Sequence, residues 1–100
     1  MATTDYSKAS WHAGDVEKPL EARGFAHLRV RARGAALTIE SGPENDPIRH
    51  ARFKRDTVHL WILEIADHKG RFSPTGLRND LPTLVDALIR DFGWTLEPIA

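Results

Sequence analysis

Phe25-Ala-His-Leu-Arg-Val-Arg-Ala-Arg-Gly-Ala-Ala-Leu-Thr-Ile-Glu40 alternates apolar and polar positions on both sides of a glycine. In a strand, successive side chains point to opposite faces, so Leu28, Val30 and Ala32 share one face while Arg29, Arg31 and Arg33 share the other. A two-residue turn at Gly34-Ala35, with glycine at its first central position, sets Ala32 opposite Leu37, Arg31 opposite Thr38, Val30 opposite Ile39 and Arg29 opposite Glu40. All four pairs are chemically compatible. The stretch therefore predicts a β-hairpin with one apolar and one basic face.

Working outward, Ser41-Gly-Pro-Glu-Asn-Asp-Pro47 is dense in turn formers and ends the second strand. Ile48 to Arg55 and Thr57 to Ala66 read as a second hairpin turning near Arg55-Asp56. With a two-residue turn, Phe53 and Val58 share one face, while His50, Arg52, Lys54, His59 and Trp61 share the other. Val58 to Ile65 is apolar at nearly every position, so its periodicity does not fix the register, and a shift of one residue sends Trp61 and Leu63 into the core. Asp67-His-Lys-Gly70 reads as a tight turn, and Arg71 to Pro74 as an edge strand or a loop.

Leu81, Leu84, Val85, Leu88, Ile89 and Phe92 follow a helical stripe, with Asn79 or Asp80 placed to cap it and Gly93 to end it. Trp94, Leu96 and Ile99 then alternate, as a further strand or a tail across the core would. Upstream, Asp15 to Gly24 predicts a short helix, with Asp15 as cap, Pro19 in its first turn and Gly24 as a left-handed stop. Residues 1–14 carry no burying period and read as a mobile segment before one domain over 15–100. The fold class is α+β: an antiparallel meander of about four strands, covered on one face by a C-terminal amphipathic helix.

Composition narrows the function classes. A chain of 100 residues, 41% hydrophobic with three tryptophans, supports one core. It has no cysteine, which removes disulfides, thiolate metal sites and cysteine nucleophiles. No apolar run is long enough to span a bilayer and no secretory leader is visible, so a soluble, cytoplasmic protein is expected. Net charge is zero, but the charges are segregated. Arg23 to Ile39 and Ile48 to Arg55 hold eight of the 14 basic residues and no acid, whereas the stretches before Arg23 and after Arg78 are acidic.

The basic sheet face is the candidate site: Arg29, Arg31, Arg33, Arg52, Lys54, His59 and Trp61. Cations interleaved with an aromatic neutralise phosphates and stack bases, so the expected partner is single-stranded or duplex nucleic acid, or an acidic protein. Four antiparallel strands followed by a helix resemble the arrangement of Whirly-type and Pur-type single-strand binders, whose sheets carry the nucleic acid. The bland alternative is a solvated face, with Arg29 and Glu40 an ordinary cross-strand pair and the arginines discouraging edge pairing. A protein-interaction module or small homo-oligomer is the competing class, resting on the doubly apolar Val58 to Ile65.

Catalytic chemistry finds little support. Ser41, Ser73, His59, His68, Glu64 and Asp67 are ingredients for hydrolysis without an organising motif. His50 and His59 lack a third metal ligand. The expectation is a non-enzymatic module without cofactor or metal, monomeric or a small homo-oligomer.

Overall fold

The computed structural model describes residues 12–67 and 69–96. Two helices, α1 (Ala13–Ala22) and α2 (Leu81–Phe92), flank five strands: β1 (Arg29–Arg33), β2 (Ala36–Ser41), β3 (Ile48–Arg55), β4 (Trp61–Ala66) and β5 (Phe72–Asn79). The strands form one sheet in sequence order, every neighbour antiparallel. The α+β meander expected from the sequence is present, with five strands instead of about four.

The first hairpin has the expected register, from Arg29 opposite Glu40 to Ala32 opposite Leu37. Gly34 takes φ +53° while Ala35 keeps an ordinary negative φ, the pattern of a turn whose twist matches that of its flanking strands. Between β2 and β3 the ladder slips by one residue. Ile39 faces Ala51 but Glu40 faces Arg49, leaving His50 as the extra residue of a bulge.

The second hairpin departs from the two-residue turn. Arg55 pairs with Trp61 and Phe53 with Leu63, so residues 56–60 form a five-residue loop. That loop satisfies its own backbone: Asp56 and Thr57 N–H donate to the Leu60 carbonyl, and Leu60 N–H donates to Thr57 Oγ1. The register is the one that puts Trp61 and Leu63 beside Phe53 in the core and sends Lys54 and Ile62 to the opposite face. Burial of three large side chains decides it, each contributing about 1.5–3 kcal/mol.

In the β4–β5 turn, Asp67 Oδ1 accepts from the N–H groups of Lys69 and Arg71, and Gly70 adopts φ +77°. His68, expected in this turn, lies outside the described residues. The segment from Phe72 onward is an edge strand of eight residues, longer than the Arg71 to Pro74 piece expected. Its pairing slips between Ile62 and Glu64, where Thr75 Oγ1 donates to the Leu63 carbonyl.

The Asp80 carboxylate caps α2, accepting from Thr83 N–H at 2.9 Å. Gly93 is right-handed, not left-handed, and the chain runs on into a 3₁₀ turn over Gly93–Leu96. Of the further strand and the tail across the core expected there, the chain takes the second in the form of this turn, which buries Leu96 and leaves Trp94 70% exposed. Ile99 and residues 1–11 lie outside the described residues. α1 starts at Ala13, two residues before the expected cap, and Gly24 follows it with φ +88°.

Both helices and the 3₁₀ turn cover the same sheet face. Leu37, Ile39, Ala51, Phe53, Trp61 and Leu63 pack there against Val16, Leu20, Leu84, Val85, Leu88 and Leu96. The other face is open. Among the described residues, no helix is long and apolar enough to cross a membrane.

Candidate functional site

Strand register lays out the open face as three rows. Arg29, Glu40 and Arg49 make the first; Arg31, Thr38, Arg52 and Glu64 the second; Arg33, Ala36, Lys54 and Ile62 the third. Two carboxylates stand in this field, and both are already engaged. Glu40 Oε1 accepts from Arg29 Nε at 3.1 Å and Arg31 Nε at 2.7 Å, with its side chain only 3% exposed. Glu64 Oε1 accepts from Arg52 Nε at 2.7 Å. The carboxylate left open by the sequence is thus an arginine partner.

Burial alone would raise the Glu40 carboxyl, but hydrogen bonds and charge from Arg31 and Arg29 outweigh it and hold the group below its usual value. Glu40 in turn raises the pKa of Arg31. Arg29 reaches further, donating from Nη1 to the Gly42 carbonyl at 2.6 Å and from Nη2 to the Pro43 carbonyl at 3.3 Å. The Arg52 guanidinium lies 4.2 Å from the centroid of the Phe72 ring. Both arginine clusters are therefore held in place by the fold itself.

A hollow of about 330 Å³ opens between these groups, lined by Arg31, Arg33, Arg49, Arg52 and Arg71 with Thr38, Glu40, Gly70 and Phe72. Among the described residues, the side chains of Arg33, Arg49 and Arg71 have no ion pair or hydrogen bond, and neither has Lys54 on the same face. Five guanidinium groups thus surround one carboxylate that is already neutralised. An open guanidinium group carries paired N–H donors of the kind that an oxyanion accepts from.

Of the residues expected at the site, Arg31, Arg33 and Arg52 line the hollow, Arg29 supports it through Glu40, and Lys54 stands at the turn end of the same face. His59 is exposed in the 56–60 loop. Trp61 is not on this face at all: it is 2% exposed in the core, as the corrected register requires. Arg49, Arg71 and Phe72 were not anticipated. The bulge swaps the faces of Arg49 and His50, while Arg71 in the β4–β5 turn and Phe72 at the start of β5 reach the hollow from the far edge of the sheet.

His50, expected beside Arg52, instead lies 2% exposed on the helix side. Its Nδ1 is 2.7 Å from the Thr95 carbonyl, which only accepts, so Nδ1 carries the proton and Nε2 accepts from Ser41 Oγ at 2.7 Å. Burial lowers the His50 pKa, the Thr95 bond opposes that, and His27 adds to it. His27 Nε2 donates to the next carbonyl, Leu96, at 2.8 Å. Two histidines thereby fasten the 3₁₀ turn to the sheet. Ser41 is 7% exposed and borders none of the hollows described, so the pair serves as a clamp.

No cluster of three or more histidine, aspartate or glutamate side chains placed to hold a metal occurs among the described residues. No protein-family model, curated protein or solved structure matches this chain.

Proposed function

We propose that the open sheet face binds a polyanionic partner, with nucleic acid the most concrete candidate. The observation that carries this is the ring of unpaired guanidinium groups, Arg33, Arg49 and Arg71, around a hollow whose carboxylate is already satisfied. Guanidinium groups bind phosphate through paired N–H donors, and a chain of zero net charge attracts a polyanion only where its cations are gathered, as they are here. The reading is of a binding module, not an enzyme.

The test is an oligonucleotide titration of the Arg33→Ala/Arg49→Ala/Arg71→Ala protein beside the unaltered one, at two salt concentrations. These three side chains hold no partner among the described residues, so the variant should stay folded. Binding should be lost at moderate salt, and the dependence of log affinity on log salt should flatten by roughly 2–3, one phosphate contact per arginine. Equal binding by both proteins would remove the face from consideration.

One feature of the opposite side favours a second reading, association with protein. The exposed Trp94 indole borders a shallow hollow with Ile65, Ala66 and Ser73 beside the β4–β5 edge. Self-association there predicts a sedimenting mass that rises above one chain with concentration and falls back in Trp94→Ser. A mass of one chain throughout argues against it.

A further inference from the structure

The arginine hollow holds more detail than a basic face requires. β1 and β5 stand at opposite edges of the sheet, about 19 Å apart across four strand spacings in a flat sheet. Arg31 and Arg33 of β1 nevertheless line the same 330 Å³ hollow as Arg71 and Phe72. Long side chains from both edges meet over the sheet, and the β4–β5 turn forms one wall of the hollow through Gly70 and Arg71. Gly70 supplies the φ of +77° that this wall turns on, and it stands against Arg49: a Cβ added there would meet Arg49 Nη1 at 3.8 Å, an ordinary contact. A hollow walled in this way, near the small end of ligand pockets, suits the end of a chain or a small molecule better than a backbone passing through.

We propose that this hollow is a site for a phosphate monoester: the terminal phosphate of a nucleotide strand or that of a free nucleotide. The inference rests on the anion-binding reading above and narrows it from any phosphate to a terminal one. A backbone phosphodiester carries a single charge, whereas a monoester near neutral pH carries roughly −1.5 to −2 and presents three terminal oxygens. Three unpaired guanidinium groups match three oxygens. Thr38, whose hydroxyl makes no hydrogen bond among the described residues, supplies a donor on the floor between them. Arg52, fixed by Glu64 and Phe72, adds a cation that needs no reordering.

The group that the phosphate carries also has a place to go. A second hollow of about 320 Å³ adjoins the first, sharing Arg49 and Gly70, and is bordered by Asp46, Pro47, Ile48, Asp67 and Lys69. Carboxylates and an ammonium beside Pro47 and Ile48 suit the hydroxyls and the carbon skeleton of a sugar. Inorganic phosphate would fill only the first hollow.

The full chain would be titrated with one single-stranded oligonucleotide in three forms, bearing a 5′-phosphate, a 3′-phosphate or hydroxyls at both ends, and with a nucleoside monophosphate and inorganic phosphate. A phosphate-ended strand is expected to bind roughly tenfold tighter than its hydroxyl-ended counterpart, the worth of one further charge-assisted contact. The nucleoside monophosphate should compete for the same site, more strongly than inorganic phosphate. Arg49→Gln and Arg71→Gln, with folding checked by circular dichroism, should cancel the preference for the phosphate end.

Equal affinity for all three strands would overturn the monoester site and leave the nucleic-acid face standing. A preference that survives both substitutions would overturn the hollow as its seat. Binding of the nucleoside monophosphate without binding of any strand would uphold the site and overturn the nucleic-acid reading. Binding of none would overturn both.

Discussion

Replacing Arg29 and Arg31 together with alanine is expected to lower folding stability by about 3 kcal/mol at neutral pH, although both side chains lie on the open face and outside the core. The reason is Glu40. Its side chain is 3% exposed, and the two guanidinium groups share its Oε1 at 3.1 and 2.7 Å. Removing them strands a buried carboxylate, and the expected loss sits at the low end of the usual range because the arginines are 31% and 35% exposed. The pH dependence follows from the lowered Glu40 pKa. Its pairing contributes stability that is present above the ordinary value of 4.5 and lost as pH falls through the lower folded value. The gap between the two proteins should therefore be widest near neutrality and narrow in acid. Urea unfolding at pH 7 and at pH 4 checks this, and adding Glu40→Gln to the double variant should restore most of the loss. A loss below about 1 kcal/mol at pH 7 would mean that the carboxylate does not depend on the pair. For ligand binding, the same result directs substitutions to Arg33, Arg49 and Arg71, which no carboxylate in the fold needs.

The first hairpin was legible because two independent signals agree on it, the strict alternation of Leu28 to Arg33 and the glycine at the turn. The second was not. Val58 to Ile65 is apolar on both faces, so its period names no face, and the length of the 56–60 loop depends on local bonds such as Leu60 N–H to Thr57 Oγ1. Within the candidate site, alternation alone found Arg31, Arg33 and Arg52. Arg49 was hidden by the bulge, since one extra residue at His50 reverses the face of everything before it in β3. Arg71 and Phe72 were hidden for a different reason. They share a hollow with Arg31 from the opposite edge of the sheet, a property of all five strands together that no local spacing carries. The strand reading also stopped at Pro74, short of Asn79, because Pro74 and Gly76 break the pattern that an edge strand tolerates.

The corrected register turns Trp61 into a test that separates the two faces. In the two-residue-turn reading, its indole lies among the arginines as a stacking platform, and Trp61→Ala weakens nucleic-acid binding with little effect on stability. In the structure the side chain is 2% exposed, packed in the core with Phe53 and Leu63, and edge-on to the His12 ring at 5.5 Å. The Arg55 guanidinium stands 5.6 Å from its ring. Truncation to alanine removes that packing and leaves a cavity, so Trp61→Ala should cost about 3–5 kcal/mol. That is a large share of the roughly 5–15 kcal/mol available to a small domain, and the variant is expected to be partly unfolded. Trp61→Phe keeps a ring in the site and should cost less, supplying a folded protein for titration. Its affinity for the oligonucleotides should equal that of the unaltered chain, since the substituted ring faces the helices while the hollow faces away from them. Loss of stability without loss of binding fixes the indole in the core. A stable Trp61→Phe protein that no longer binds would place the indole back on the open face and, with it, the register in which His59 and Trp61 stand beside Arg52.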